Sequence, residues 1–229
     1  LDIASMDKTL QEIRKVAPKC KVFDIKCDIS SEEAIQKVMQ FIADKFGKNS
    51  IDIFVNSAAA FIFKNVMDAT KQDWNKMLSV NVYGAAAMIK HIVPYMKHDG
   101  TGSIVNIGSI SGFRAQQADR ITYNVTKAAM IQLTKNAAVD LWKKYKIRVN
   151  CVCPGVVLTK AVADEAKLHI SQGKWKNYAE YEKNWTRRFI MDNIGDPRDV
   201  SFACLFFATD NSKYCTGTHL MVDGGWSAL

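Results

Sequence analysis

The chain predicts an α/β fold, a doubly wound parallel sheet in three α/β/α layers. Three observations predict it. Short apolar runs recur at 21–27, 51–55, 103–108, 147–153 and 219–222, each about the length of a buried strand. Stretches with apolar residues at helical spacing separate most of them. Asp2, Asp28, Asn56, Ser109 and Pro154 stand at the ends of successive predicted strands, the edge where open sheets of this class bind ligands.

The elements follow in order. Leu1-Asp2-Ile3 reads as the end of a strand, and Ser5 is placed to cap a helix over 6–16 with Leu10 and Ile13 on one face. The run 21–27 reads as a second strand ending at Asp28. Ser30 or Ser31 caps the next helix, with Glu32 and Glu33 in its first turn and Lys45 near its end, as the helix dipole prefers. The strand 51–55 leads into Asn56-Ser-Ala-Ala59, small residues that admit either a ligand or a closely packed helix. Residues 70–96 carry Trp74, Met77, Leu78 and Val82 near helical spacing, with Asn81 inside, where a satisfied core amide is the ordinary reading.

After the 103–108 strand and Ser109, a helix runs to Tyr145, and 147–153 is a further strand broken by Pro154-Gly155. Residues 160–195 differ in kind. They are polar, charged and aromatic (Trp175, Tyr178, Tyr181, Trp185, Phe189) and read as two helices outside the sheet, placed as a lid. Pro197 opens the next helix, and 219–222 is the last strand. One domain spans 1–229.

Composition narrows the function. The net charge of +8 is dispersed among Asp and Glu, without a basic tract interleaved with aromatics, which argues against nucleic acid. No apolar run approaches the ~18 residues of a membrane span. The six Cys form no Cys-x-x-Cys pair and sit mostly in apolar runs, which fits a reducing, cytoplasmic setting, with organellar targeting left open. The four His show no metal-ligand spacing, so no metal is expected.

The chemistry centres on 109–127. Tyr123 and Lys127 are four apart, one helical turn, on one face. A phenol near pKa ~10 is a poor acid or base at neutral pH. A nearby ammonium lowers that pKa and lets Tyr exchange a proton with an alcohol or carbonyl oxygen. Ser109, at a strand end, is placed to hold the same oxygen. The pair alone is a weak signal, because a solvated helix face often shows it.

With its neighbours the pair is specific. Asn56-Ser-Ala-Ala59, Asn81 in Ser-Val-Asn-Val, Ser109, Tyr123-x-x-x-Lys127, Pro154-Gly155 with Thr159, and Asp223-Gly-Gly occur in the order of the short-chain dehydrogenase/reductase family, which the chain resembles over nearly its whole length. The resemblance implies a Rossmann-like fold and an NAD(P)-dependent oxidoreductase. Tyr123 would be the general acid or base, and Lys127 would lower its pKa and bind the nicotinamide ribose. Ser109 would orient the substrate oxygen, and Asn81 would hold a water linked to Lys127. Around the cofactor it places Asp28 and Ile29 at the adenine, Asn56 and Ala58 along it, Pro154, Gly155 and Val157 at the nicotinamide, and Thr159 at its carboxamide or a phosphate. Asp2 falls where the family reads the adenine ribose, and a carboxylate there favours NAD, with NADP open. A homodimer or homotetramer is implied, the helices of 70–96 and 122–145 packing against their copies. The substrate, a small alcohol or ketone, would meet Ser109, Tyr123, Phe61, Ile62, Phe113, Gln116, Gln117 and the 160–195 segment. A polyol, an alicyclic alcohol and a 3-oxoacyl group all suit that lining.

Two departures stand out. Ala59 and Ser57 replace the Gly and second Asn of the family's Asn-Asn-Ala-Gly. The opening strand and glycine-rich turn that bind the pyrophosphate do not appear, which keeps open a non-catalytic binding or regulatory protein on the same fold. The expectation is that the natural protein carries this segment. Its intact mass is then expected to exceed the 25.7 kDa of this sequence by about 3–5 kDa, the size of a strand-turn-helix start. A measured mass of 25.7 kDa would refute it.

Overall fold

The computed structural model describes residues 6–115 and 118–229. Four parallel strands form its sheet: β1 (Ile53–Asn56), β2 (Ser103–Ile107), β3 (Arg148–Pro154) and β4 (His219–Val222), in the order β1-β2-β3-β4. Ile53 lies opposite Ser103, Ser103 opposite Arg148, and Cys151 opposite His219. All four strands therefore end at one edge. Alternate residues face opposite layers, as the two-residue period of a strand requires. Ile104 and Val149 join the core shared with α2 (Glu32–Phe46), α4 (Ala85–Ile92) and α5 (Ile121–Tyr145). Val105 and Val152 pack on Ala203 and Phe207 of α8 (Pro197–Ala208). The doubly wound, three-layer expectation holds.

Helix starts follow local chemistry. Ser31 accepts the Ala34 N–H to cap α2. Thr70 and Asp73 form a reciprocal capping box at α3 (Lys71–Leu78), and Asp196 and Asp199 do the same at α8, which has Pro197 in its first turn. The first helix, α1 (Asp7–Val16), buries Leu10. Its expected cap, Ser5, lies outside the described residues.

Two expectations need correction. Among the described residues the run 21–27 pairs only through an isolated bridge at Lys26 and belongs to none of the four strands. Phe23 still packs edge-on against Phe41 and Phe46 of α2, with ring centroids 5.8 Å apart in each case. The 70–96 helix is not continuous. Ser79–Gly84 is a π-helical turn between α3 and α4, and Val93–Tyr95 is a 3-10 turn. The 160–195 segment does hold two helices, α6 (Lys160–Ser171) and α7 (Tyr178–Thr186), as read from the sequence. Residues of both form an apolar cluster with Ile110 and Trp226. The two ends of this segment meet, Leu158 N–H donating to Gly195 O at 2.8 Å and Gly195 N–H to Val156 O at 3.1 Å.

Arg148, unremarked in sequence, is fully buried at the opposite edge of the sheet. Its guanidinium donates to the carbonyls of Phe207, Thr209 and Ser212, closing the C-terminus of α8.

Candidate active site

The site forms where β2 ends and α5 begins. Ser109 follows β2 in extended backbone, and its Oγ accepts the Ser111 N–H at 3.1 Å, starting a tight turn over Ile110–Gly112. That turn lies hard against α5. A Cβ on Gly112 would sit 2.4 Å from the Lys127 carbonyl carbon, so only glycine allows the approach. The contact brings the Ser109 hydroxyl close enough to the Tyr123 phenol to pull its pKa down.

Lys127 is one turn further on and only 3% exposed. Its Nζ donates to the Ile107 carbonyl at 2.8 Å and lies 5.8 Å from the Tyr123 ring centroid. Beneath it lie the buried thiols of Cys151 and Cys153, 3.7 Å apart. Asn81 reaches the site from the π turn. Its Oδ1 accepts the Ala60 N–H at 2.6 Å, and its Nδ2 donates to the Ala60 carbonyl at 3.0 Å and to Thr126 Oγ1 at 3.2 Å. A π turn re-aims side chains off the α-helical rows, and such turns are frequent at functional sites. The four expected catalytic side chains thus meet at the C-terminal edge of the sheet.

The electrostatics differ from expectation in one respect. Burial holds the Tyr123 phenol above its ordinary value, while the Ser109 hydroxyl and the Arg120 charge pull it down. Lys127 is not the group that lowers it here. Its ammonium is aimed at the Ile107 carbonyl, and burial pushes Lys127 itself down to about 8.

The remaining expected residues divide. Asn56 is buried, its Nδ2 donating to Asn106 Oδ1 at 3.1 Å, so its side chain is committed to the sheet interior. Ala58 is exposed just beyond β1. Asp28 is exposed, held below its ordinary pKa by hydrogen bonds from Ser30. The Ile29 side chain is in the core, so at this edge it can offer a ligand only its backbone. Pro154 ends β3. Gly155 is required by its neighbour, since a Cβ there would lie 2.8 Å from the Asp223 Cα. Val157 lines a cleft of about 450 Å³ with Phe189, Met191 and Asp223. Thr159 caps α6 through its Oγ1. Asp2, Gln116 and Gln117 lie outside the described residues.

Phe113 is 57% exposed, and its ring contact is with His219, 6.4 Å away. The 3-10 turn before it points it outward. Phe61 and Phe63 wall the Tyr123 ring, Phe61 stacked at 5.5 Å and Phe63 edge-on at 5.8 Å. Sequence reasoning reached Phe61 but missed Phe63 and Arg120. The Arg120 guanidinium lies 4.2 Å from the Phe63 ring centroid, with Glu165 3.9 Å away. The available signal was local, since Arg120 immediately precedes the helix of Tyr123.

Chemically, the arrangement offers a buried phenol to give or take a proton, a hydroxyl to share the same oxygen, and a buried cation behind them. Lys127 generates a measurable consequence. Between about 8 and the ordinary 10.5 the unfolded chain keeps the Lys127 proton while the folded chain has lost it. Stability due to this group therefore rises with pH across that window. Urea unfolding of wild type and Lys127→Met is expected to show the difference shifting toward wild type by on the order of 3 kcal/mol from pH 8 to 10.5. A pH-independent difference would contradict the burial argument.

Comparison with known proteins agrees with this geometry. A family profile described as enoyl-(acyl carrier protein) reductase matches residues 2–227. Dehydrogenase/reductase SDR family member 4 of Rattus norvegicus is 36% identical over 205 residues, 89% of this chain and 68% of the rat protein. The NADP-dependent (R)-specific alcohol dehydrogenase of Lentilactobacillus kefiri is 34% identical over 203 residues, 88% of this chain and 75% of that one. A solved short-chain dehydrogenase/reductase from Burkholderia xenovorans superposes with a TM-score of 0.87 at 32% identity, covering 100% of this chain and 83% of its own. With these likenesses beside the residues at the end of β2, the chain belongs to the short-chain dehydrogenase/reductase family of oxidoreductases.

Proposed function

We propose that this protein is an NAD(P)-dependent dehydrogenase that interconverts a secondary alcohol and a ketone, with Tyr123 as the general acid and base. The observation that carries the reading is the Ser109–Gly112 turn seated against α5 at the sheet edge, beside Tyr123, with Lys127 buried one turn behind it and bonded to the Ile107 carbonyl. Nothing in the site favours the non-catalytic alternative.

The residues present fit the nicotinamide end of such a cofactor. Lys127 has three N–H groups, of which the Ile107 carbonyl takes one, so its donor set suits ribose hydroxyls. Pro154, Gly155 and Val157 supply an uncharged wall nearby. When bound, the nicotinamide supplies the hydride donor or acceptor. The chain's own work is placement and proton transfer. Ser109 Oγ holds the substrate oxygen at Tyr123 Oη. In reduction the phenol proton passes to that oxygen, and in oxidation the phenolate takes it back. Phe61 and Phe63 pack on the ring of Tyr123, and Asn81 fixes the Ala60 backbone that precedes them. The 160–195 segment is assigned as the substrate lid, supported by its joined ends and its aromatic cluster.

NAD is the preferred cofactor in this proposal, because Asp2 offers a carboxylate to a ribose diol. The same residue makes NADP the weaker partner. The six free thiols of the structure support a reducing compartment such as the cytoplasm. A dimer or tetramer is proposed from the exposed apolar side chains Val125, Val139 and Trp142 of α5 and Leu78 and Tyr83 of the 71–84 stretch. Sedimentation of the full-length protein is expected to show an assembly that Val139→Glu weakens; a monomer at every concentration would exclude it.

Tyr123→Phe tests the mechanism. It keeps the ring that packs on Phe61 and removes the proton donor. Turnover is expected to fall by about 10²- to 10⁴-fold while NADH binding, read by its fluorescence, persists. Unchanged turnover in Tyr123→Phe would overturn the assignment.

A further inference from the structure

One wall of the site holds more hydrogen-bonding capacity than the fold uses. Tyr181 is 1% exposed and Trp185 is 6% exposed, yet among the described residues Tyr181 Oη and Trp185 Nε1 have no hydrogen-bond partner, and neither does the buried Arg188 Nη1. The Trp185 N–H lies near enough to the Tyr181 hydroxyl to affect it without meeting hydrogen-bond geometry. Buried polar groups are normally paired, because water is lost without replacement. Three on one short helical segment call for an occupant.

Their surroundings say which kind. The Arg188 guanidinium is held beside two indoles, 5.3 Å from the Trp185 ring and 5.7 Å from that of Trp226. Arg120 lies within electrostatic reach of Arg188, of Tyr181 and of Tyr123. Arg187 adds to the positive field on Arg188, and Glu165, 3.9 Å from Arg120, is the acidic group facing it. Ile110, next to Ser109, packs in the same cluster as Tyr181 and Trp185, so this wall adjoins the hydroxyl that would hold the reacting oxygen. Guanidinium groups beside neutral N–H and O–H donors make a receptor for a small planar anion.

We propose that Arg188, Tyr181 and Trp185, with Arg120 across the site, form a carboxylate subsite, so that the substrate is an alcohol or ketone bearing a carboxylate. The proposal rests on the hydride-transfer reading of Tyr123 and adds the substrate class. A carboxylate fits better than a phosphate ester. The flanking surfaces are apolar indoles and Ile110, which suit a compact single charge on a short carbon chain. The substrate carboxylate would accept from Arg188 Nη1, Tyr181 Oη and Trp185 Nε1 while its hydroxyl or ketone meets Ser109 and Tyr123.

The test has two arms on the full-length protein. In the first, a short-chain 3-oxo carboxylate and its methyl ester are titrated against intrinsic tryptophan fluorescence, without cofactor. The carboxylate is expected to give a saturable change that the ester does not. Arg188→Met is expected to weaken it about ten- to a hundred-fold, with Arg188→Lys recovering part. In the second arm, NADH oxidation is followed with both compounds. Wild type is expected to prefer the carboxylate, and Arg188→Met to lose that preference mainly through KM. Should Arg188→Met fail to fold, Trp185→Phe keeps the ring and removes one donor, with a several-fold loss expected for the carboxylate. Equal binding of acid and ester by wild type, or equal losses for both in Arg188→Met, would overturn the subsite. Saturable carboxylate binding without turnover of either compound would support the subsite while sinking the hydride-transfer reading.

Discussion

The contact between the Ser109–Gly112 turn and α5 is the constraint on which the site depends. β2 and α5 are separate elements joined at Asn106, whose Nδ2 donates to Thr134 Oγ1 at 2.9 Å, and again at the strand end. There, Gly112 admits the Lys127 backbone, and the Lys127 ammonium turns back to the Ile107 carbonyl at 2.8 Å. The helix is thereby fixed to the strand end from both its backbone and its side chain. The relation of Ser109 to Tyr123 follows from this clamp. A hydroxyl and a phenol can share one substrate oxygen only if their carriers do not shift by more than a fraction of an ångström.

A second clamp works at right angles to the first. Asn81 is tied to both polar backbone groups of Ala60 and to Thr126, so the loop after β1, the π turn and α5 meet at one carboxamide. Truncating Asn81 would leave the Ala60 N–H and C=O without partners, a cost of about 1–3 kcal/mol for each buried group. The π turn itself is explained by this demand. Its widened backbone is less favourable than an α turn, and it persists where surrounding contacts hold it. The loop so anchored carries Phe61 and Phe63 to the ring of Tyr123, which links a distant amide to the packing around the phenol.

The residues legible in sequence were those whose meaning is local. Tyr123 and Lys127 share a helix face by spacing alone, and Ser109 and Pro154 mark strand ends by the apolar runs before them. The parallel sheet was legible for the same reason, since each strand and its flanking helix carry their own period. What the sequence hid was pairing and convergence. The 21–27 run alternates like a strand, but among the described residues it pairs only at Lys26. The 70–96 stretch has helical spacing throughout, and nothing in propensity announces an i to i+5 turn. Arg120, Tyr181, Trp185 and Arg188 lie up to about seventy positions apart, and only the packing of α6 and α7 onto Ile110 and Trp226 puts them on one wall.

The charge state of this small volume follows from its burial. Burial raises the Tyr123 phenol and lowers the Lys127 ammonium, moving the two ionised forms in the same unfavourable direction. A neutral phenol near a marginally charged lysine already holds the proton that reduction needs, although its raised pKa makes it a weaker acid. Reduction would therefore meet the site in the state it already prefers. Oxidation would need the phenolate to be stabilised, and the groups now in place for that are the Ser109 hydroxyl and the Arg120 charge. Arg120 thereby serves two demands with one guanidinium, the pKa of Tyr123 and the field around Tyr181 and Arg188. An anion bound at that wall would offset part of the Arg120 charge seen by Tyr123 and raise the phenol further. A carboxylate-bearing substrate would then work against the phenolate that must take the proton in oxidation, so the Ser109 hydroxyl and the Arg120 charge would carry more of that stabilisation.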